Sequence, residues 1–119
     1  MMKKNLTVFL VFLFAFVSFN PIGRIYTNEP VSKEGELNFY VNLNNALKEK
    51  LDDIRVRAYI YDIGEVVYSN DFDIGRKSTR LSRMSWKVSD AVTKGEYMIK
   101  VSASNDKFRD SKHIIVEVE

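Results

Sequence analysis

Four residues in the middle of the chain, Arg55, Arg57, Tyr59 and Tyr61, stand at every second position. In an extended segment that spacing puts all four on one face, opposite Ile54, Val56, Ala58 and Ile60. Guanidinium and phenol groups together are the chemistry of contact. They bury apolar area while keeping hydrogen-bond capacity, as at protein interfaces, and they stack on planar rings. These four are the candidate partner-binding residues.

Bond-making chemistry has less to work with. The sequence holds no cysteine and one histidine, which removes thiol nucleophiles, thiolate zinc sites and histidine clusters. His113 has no G-x-S-x-G or similar nucleophile motif to serve and reads as a rim residue of the last strand. Asp52 with Asp53, Asp71 with Asp73, and Asp106 with Asp110 offer oxygens. A hard cation, however, needs about six to eight of them converging in a loop of the right spacing. Turn capping accounts for these residues instead. No pair of carboxylates is held apart at a set distance, or shifted apart in pKa, as a glycosidase requires. No catalytic residue, no cofactor and no metal site is expected, and the chain reads as non-enzymatic.

The elements that must carry the stripe are strands. Leu37, Phe39, Val41 and Leu43 alternate with Glu36, Asn38, Tyr40 and Asn42, and Tyr97, Ile99, Val101 and Ala103 alternate with Met98, Lys100, Ser102 and Ser104. Period two over such runs predicts half-buried antiparallel strands. Further strands are expected around Ile22 to Thr27, Ile54 to Tyr61, Glu65 to Phe72, residues 79–88 and Ile114 to Val118, seven in all. In the 79–88 segment Met84, Trp86 and Val88 share one parity and Leu81 the other, which predicts a bulge between them. Trp86 on that parity reads as core. The polar stretch from Asn44 to Asp53 has room for one helical turn and reads as a crossover between two sheets. Tyr97 directly after the Lys94-Gly95 turn suits a tyrosine corner, in which the ring joins the core and the hydroxyl bonds backbone a few residues upstream.

The amino terminus differs from the rest. Lys3 and Lys4 precede an apolar run from Leu6 to Phe19, broken only by Thr7 and Ser18. As a helix this run would be about 21 Å long, short of the roughly 30 Å of hydrocarbon that a spanning helix crosses. It reads as a secretory signal peptide, with retention as an amino-terminal membrane anchor the alternative, because Phe16, Phe19 and Asn20 spoil an A-x-A-like cleavage site. The domain division is 1–20 for the leader and 21–119 for one folded domain. Without Lys3 and Lys4, the 18 basic residues of the chain fall to 16, equal to its 16 acidic ones. A neutral domain loses the main support for nucleic-acid binding. The expected location is secreted or at the cell envelope. The expected partner is an envelope or extracellular protein or polysaccharide, with no nucleic acid, and with membrane contact only through an uncleaved leader. Residues 21–75 are acidic on balance and residues 76–100 basic, an unevenness that also suits weak self-association.

Three segments together resemble a known family. Gly35-Glu36-Leu37-x-Phe39-x-Val41-x-Leu43-x-Asn45, Leu51-x-Asp53-Ile54-x-Val56-x-Ala58-Tyr59-Ile60 and Gly95-Glu96-Tyr97-x-Ile99-x-Val101-x-Ala103-Ser104-Asn105 are similar to the immunoglobulin-like modules of the cell-adhesion-related (CARDB-like) type in exported archaeal and bacterial proteins. The resemblance spans most of residues 30–118. It implies an all-β, seven-stranded antiparallel immunoglobulin-like sandwich with Greek-key connections, preceded here by the leader helix and serving adhesion or envelope structure. This chain departs from the pattern where a tight turn after the first alternating strand is replaced by Asn44-Asn45-Ala46 and a longer charged loop. The competing architecture is a small OB-like barrel binding oligosaccharide or single-stranded nucleic acid through the same strand. A sandwich would pack Val56 and Ile60 against Val101 and Leu37 across two sheets, whereas a barrel would leave an end segment outside the closure.

Overall fold

The computed structural model describes residues 20–119, so the leader expected over residues 1–20 lies, apart from Asn20, outside the described residues. Strands β1 (Ile22–Thr27), β2 (Glu36–Asn45) and β6 (Ser78–Lys87) form one antiparallel sheet in the order β1-β2-β6. A second sheet has the order β4-β3-β7-β8, from Glu65–Tyr68, Leu51–Ile60, Gly95–Ser104 and Arg109–Val118, with the short β5 (Phe72–Ile74) also paired to β3. The chain changes sheet between β2 and β3, between β5 and β6, and again between β6 and β7. Two separate sheets form a sandwich, and the barrel alternative is set aside.

Alternation built these strands as the sequence implied. Leu37, Phe39, Val41 and Leu43 of β2, Ile54, Val56, Ala58 and Ile60 of β3, and Ile99, Val101 and Ala103 of β7 are all fully buried. Each large apolar side chain so placed contributes roughly 1.5–3 kcal/mol relative to exposure, enough to fix which face of each strand points inward. Tyr97 completes the corner: its ring is buried and its hydroxyl donates to the Thr93 carbonyl at 2.6 Å. Trp86 joins the two layers, its ring edge-on to Tyr97 with centroids 6.2 Å apart, and its indole N–H donates to Glu65 Oε2 at 2.7 Å.

Three expectations are corrected. The strand count among the described residues is eight, because the segment read as one strand over Glu65 to Phe72 splits in two. Ser69 causes the break: its Oγ accepts the Val56 N–H at 2.9 Å while its own N–H donates to the Val56 carbonyl, so a side chain takes one ladder position. Residues 78–87 contain no bulge. They pair with β2 in unbroken register from Asn45↔Ser78 to Glu36↔Lys87, and Leu81 faces solvent at 57% exposure. The irregularities fall in β1 between Ile22 and Ile25 and in β3 between Leu51 and Ile54, where Asp53 has a left-handed φ of 52°. Val56 and Val101 do not meet across the sandwich, since β3 and β7 are neighbours in one sheet, with Ala58 opposite Val101; Leu37 is the residue on the facing layer.

The crossover after β2 is held by a side chain rather than by a helical turn. Asn45 is fully buried, and its Nδ2 donates to the carbonyls of Glu49, Ile74 and Gly75 while its Oδ1 accepts the Leu47 N–H. One amide thus ties the end of β2 to the loop it opens and to β5. The outer edge of β8 is contacted at both ends. Val31 bridges Val118 in parallel, Glu29 accepts the Glu117 N–H, and Asp110 accepts the Ile22 N–H. Contacts of this kind shorten the template that a strand edge offers for unwanted pairing.

Candidate functional site

Register carries the stripe onto the outer face of the larger sheet. Arg55, Arg57 and Tyr59 are on β3, and Tyr61 follows in a single 3-10 turn, Tyr61–Ile63, still on the same side. Across β3, Tyr68 of β4 lies opposite Arg57 and Val66 opposite Tyr59. On the other flank, β7 sets Ser104 beside Arg55, Ser102 beside Arg57 and Lys100 beside Tyr59, and β8 then sets Arg109 beside Ser104 and His113 beside Lys100. The face therefore runs in rows about 7 Å apart. An apolar end with Tyr61, Met98 and Ile115 gives way to a cationic end with Arg55 and Arg109.

The two arginines of β3 are treated differently. Arg55 is closed by a two-pronged contact with Asp71, Nε to Oδ1 at 2.8 Å and Nη2 to Oδ2 at 3.2 Å. Asp71 raises the Arg55 pKa, and Arg55 in turn holds the Asp71 carboxyl below the usual carboxylate range. Among the described residues Arg57 has no such partner. Its Nε is hidden from solvent and forms no hydrogen bond within them, and its guanidinium carbon lies 5.8 Å from the centre of the Tyr68 ring, with that of Arg55 at 5.9 Å. Tyr68 thus faces two cations at distances where a ring quadrupole attracts them. Tyr59 and Tyr61 meet edge to face at 5.0 Å, and Tyr61 stacks on His113 and shares a 3.2 Å hydrogen bond with its Nε2.

These residues enclose an open groove of about 310 Å³. Tyr59, Tyr61 and Tyr68 line it together with Arg57, Lys100, Arg109, Val66 and Ser102, so three cations face it and no carboxylate does. A second, wider depression of about 750 Å³ adjoins it through Arg57 and Arg109, and there Asp53, Asp71 and Asp106 balance the charge.

Of the expected contact residues, all four are on this face, and His113 joins them at its rim. Spacing within one strand did not reveal Tyr68, Lys100, Ser102 and Arg109, which reach the groove only through strand pairing. Lys100 and Ser102 carried a weaker signal, the parity opposite the buried Ile99, Val101 and Ala103, whereas Tyr68 and Arg109 have no buried neighbour in sequence to mark them. Trp86 is core at 1% exposure, as its parity implied. Four of the acidic side chains make contacts within the domain: Asp52 and Asp73 with Lys50, Asp71 with Arg55, and Asp110 with the Ile22 N–H. The Asp53 N–H, donating at 3.0 Å, lowers the Asp73 pKa most, and Lys50 lowers it further. Lys50 also contacts Asp52 at 3.3 Å, and both carboxylates raise its own pKa. Among the described residues no group of three or more histidine, cysteine, aspartate or glutamate side chains is arranged to hold a metal ion.

No protein-family model matches the sequence, and no curated protein does. Solved structures match in fold. The crystal structure of the CARDB domain of a Pyrococcus furiosus protein, in complex with di-metal ions, superposes with a TM-score of 0.63 at 18% identity, covering 85% of this chain and 91% of that one. The C-terminal domain of wzt gives 0.57 at 13% identity over 85% and 75%. The alkylpurine DNA glycosylase AlkC of Pseudomonas fluorescens, bound to DNA containing an abasic site analog, gives 0.62 at 14% identity, but the match spans only 30% of its length. The chain is a CARDB-like domain in fold, an immunoglobulin-like β-sandwich of eight strands.

Proposed function

We propose that this chain is a non-enzymatic binding module, displayed outside the membrane, whose contact surface is the outer face of the larger sheet. One observation carries the reading: a groove with three tyrosine rings and three cations faces solvent with no carboxylate of its own to neutralise them. The other polar groups nearby are occupied, His113 by Tyr61 and Asp71 by Arg55, which leaves them satisfied rather than poised for acid or base work. The basic, then apolar, segment from Lys3 to Phe19 supports export, and adhesion or envelope structure is the role that such a module fills.

The test is the double variant Arg57→Ser with Tyr59→Ser, used in affinity capture on intact envelopes. The expected outcome is loss of the captured partner with the melting temperature nearly unchanged, since Tyr59 is 37% exposed and Arg57 forms no ion pair among the described residues. Capture at the parental level would remove this face from consideration.

A further inference from the structure

Resting on the binding reading above, we infer that the groove takes a carboxylate-bearing polysaccharide, a chain of uronic acid type, with sugar faces on Tyr59 and Tyr68 and carboxylates at Arg57, Lys100 and Arg109. The cations argue first. Among the described residues, none of these three forms an ion pair, whereas Arg55, two positions from Arg57 on the same strand, is fully engaged by Asp71. Like charges gathered on one face repel one another, and an anion bound among them relieves that repulsion. A guanidinium also receives a carboxylate through two parallel hydrogen bonds, the geometry that Arg55 already shows with Asp71.

The arrangement of charge then distinguishes a glycan from a protein. Protein interfaces are enriched in arginine and tyrosine but depleted in lysine. Here Lys100 is at the middle of the face, beside Tyr59, and the exposed apolar Met98 and Ile115 are at one end. The groove is also small, about 310 Å³, a size for a few ring units rather than for a folded partner. A nucleic acid would likewise offer rings and anions, but phosphate-driven binding leans on a strongly basic domain, and residues 21–119 carry 16 basic against 16 acidic side chains.

The test is isothermal titration of the purified full chain at low salt with four probes: a galacturonic acid tetramer, the neutral galactose tetramer of the same linkage, an eight-residue oligothymidylate and an eight-residue polyglutamate. The galacturonate should bind at least about tenfold more tightly than each of the other three. Arg57→Gln and Lys100→Gln should each weaken it about tenfold, while Arg83→Gln on the other sheet leaves it unchanged. Equal binding of the neutral tetramer would overturn the role of charge. Preference for the oligonucleotide or the peptide would overturn the glycan in favour of that class. If the galacturonate does not bind but envelope capture still depends on Arg57 and Tyr59, this inference fails and the binding face stands. If capture is also independent of them, both fail.

Discussion

The outer faces of the two sheets are built from similar residues and end in different states. The smaller sheet presents Tyr26, Tyr40, Asn38, Ser85 and Arg83; the larger presents Tyr59, Tyr68, Ser102, Lys100 and Arg57. On the smaller sheet the polar groups are turned on one another. Asn28 accepts the Asn38 N–H at 2.8 Å and donates to the Glu36 carbonyl at 3.2 Å, Ser85 donates to Asn38 Oδ1 at 2.7 Å, and Arg83 lies 5.9 Å from the centre of the Tyr40 ring. On the larger sheet, three cations are left facing a groove. A mixture of arginine, tyrosine and serine is therefore not in itself a binding signal. What distinguishes the open face is that three of its cations, Arg57, Lys100 and Arg109, line one groove together, with no carboxylate among its lining residues.

The strongest challenge to this contrast lies beneath both faces. Trp86 belongs to the smaller sheet but touches Tyr97 and Glu65 of the larger, so Trp86→Ala should cost about 3–5 kcal/mol, a large part of a total stability of about 5–15 kcal/mol. Calorimetry should show both layers melting together at a much lower temperature. Two separate transitions would mean that the faces belong to independent units. A middle-sized effect is expected at Asn28. Asn28→Ala removes two hydrogen bonds of the satisfied face and should lower stability by about 1–2 kcal/mol in urea unfolding without altering capture of the partner. If it matched the parent in stability, the smaller sheet would be no more self-satisfied than the larger.

The smallest effect concerns acid. The folded-state pKa values of Asp71 and Asp73 lie below the unfolded value of about 3.9, so the stabilisation they give is present above that value and is lost as pH falls through the lower folded values. Melting temperature should therefore decline on acidification below about pH 4, and Asp71→Asn should flatten part of the decline. An unchanged slope in that variant would show that the Arg55 contact contributes nothing in solution, as many exposed ion pairs do.

The sequence made the long strands legible because burial leaves a period that can be read locally. β2, β3 and β7 alternate cleanly, and Tyr97 after its turn announced the corner. The groove was only half visible. Arg57 and Tyr59 share one strand, but Tyr68, Lys100 and Arg109 join them through pairings with β4, β7 and β8, and register between distant segments leaves no mark within any one of them. Ser69 and Asn45 were missed for a related reason. Each acts through one side chain on backbone groups elsewhere, and a lone polar residue in a polar stretch gives no warning of it.

The single tryptophan of this chain has a further use. Its indole is sealed between the layers and tethered to Glu65, and it does not line the groove. The intrinsic fluorescence of the protein is therefore a built-in gauge of integrity. Its emission shifts to the red when the layers part, and it stays constant while ligand is added to an intact domain, so loss of binding can be told from loss of fold in one cuvette.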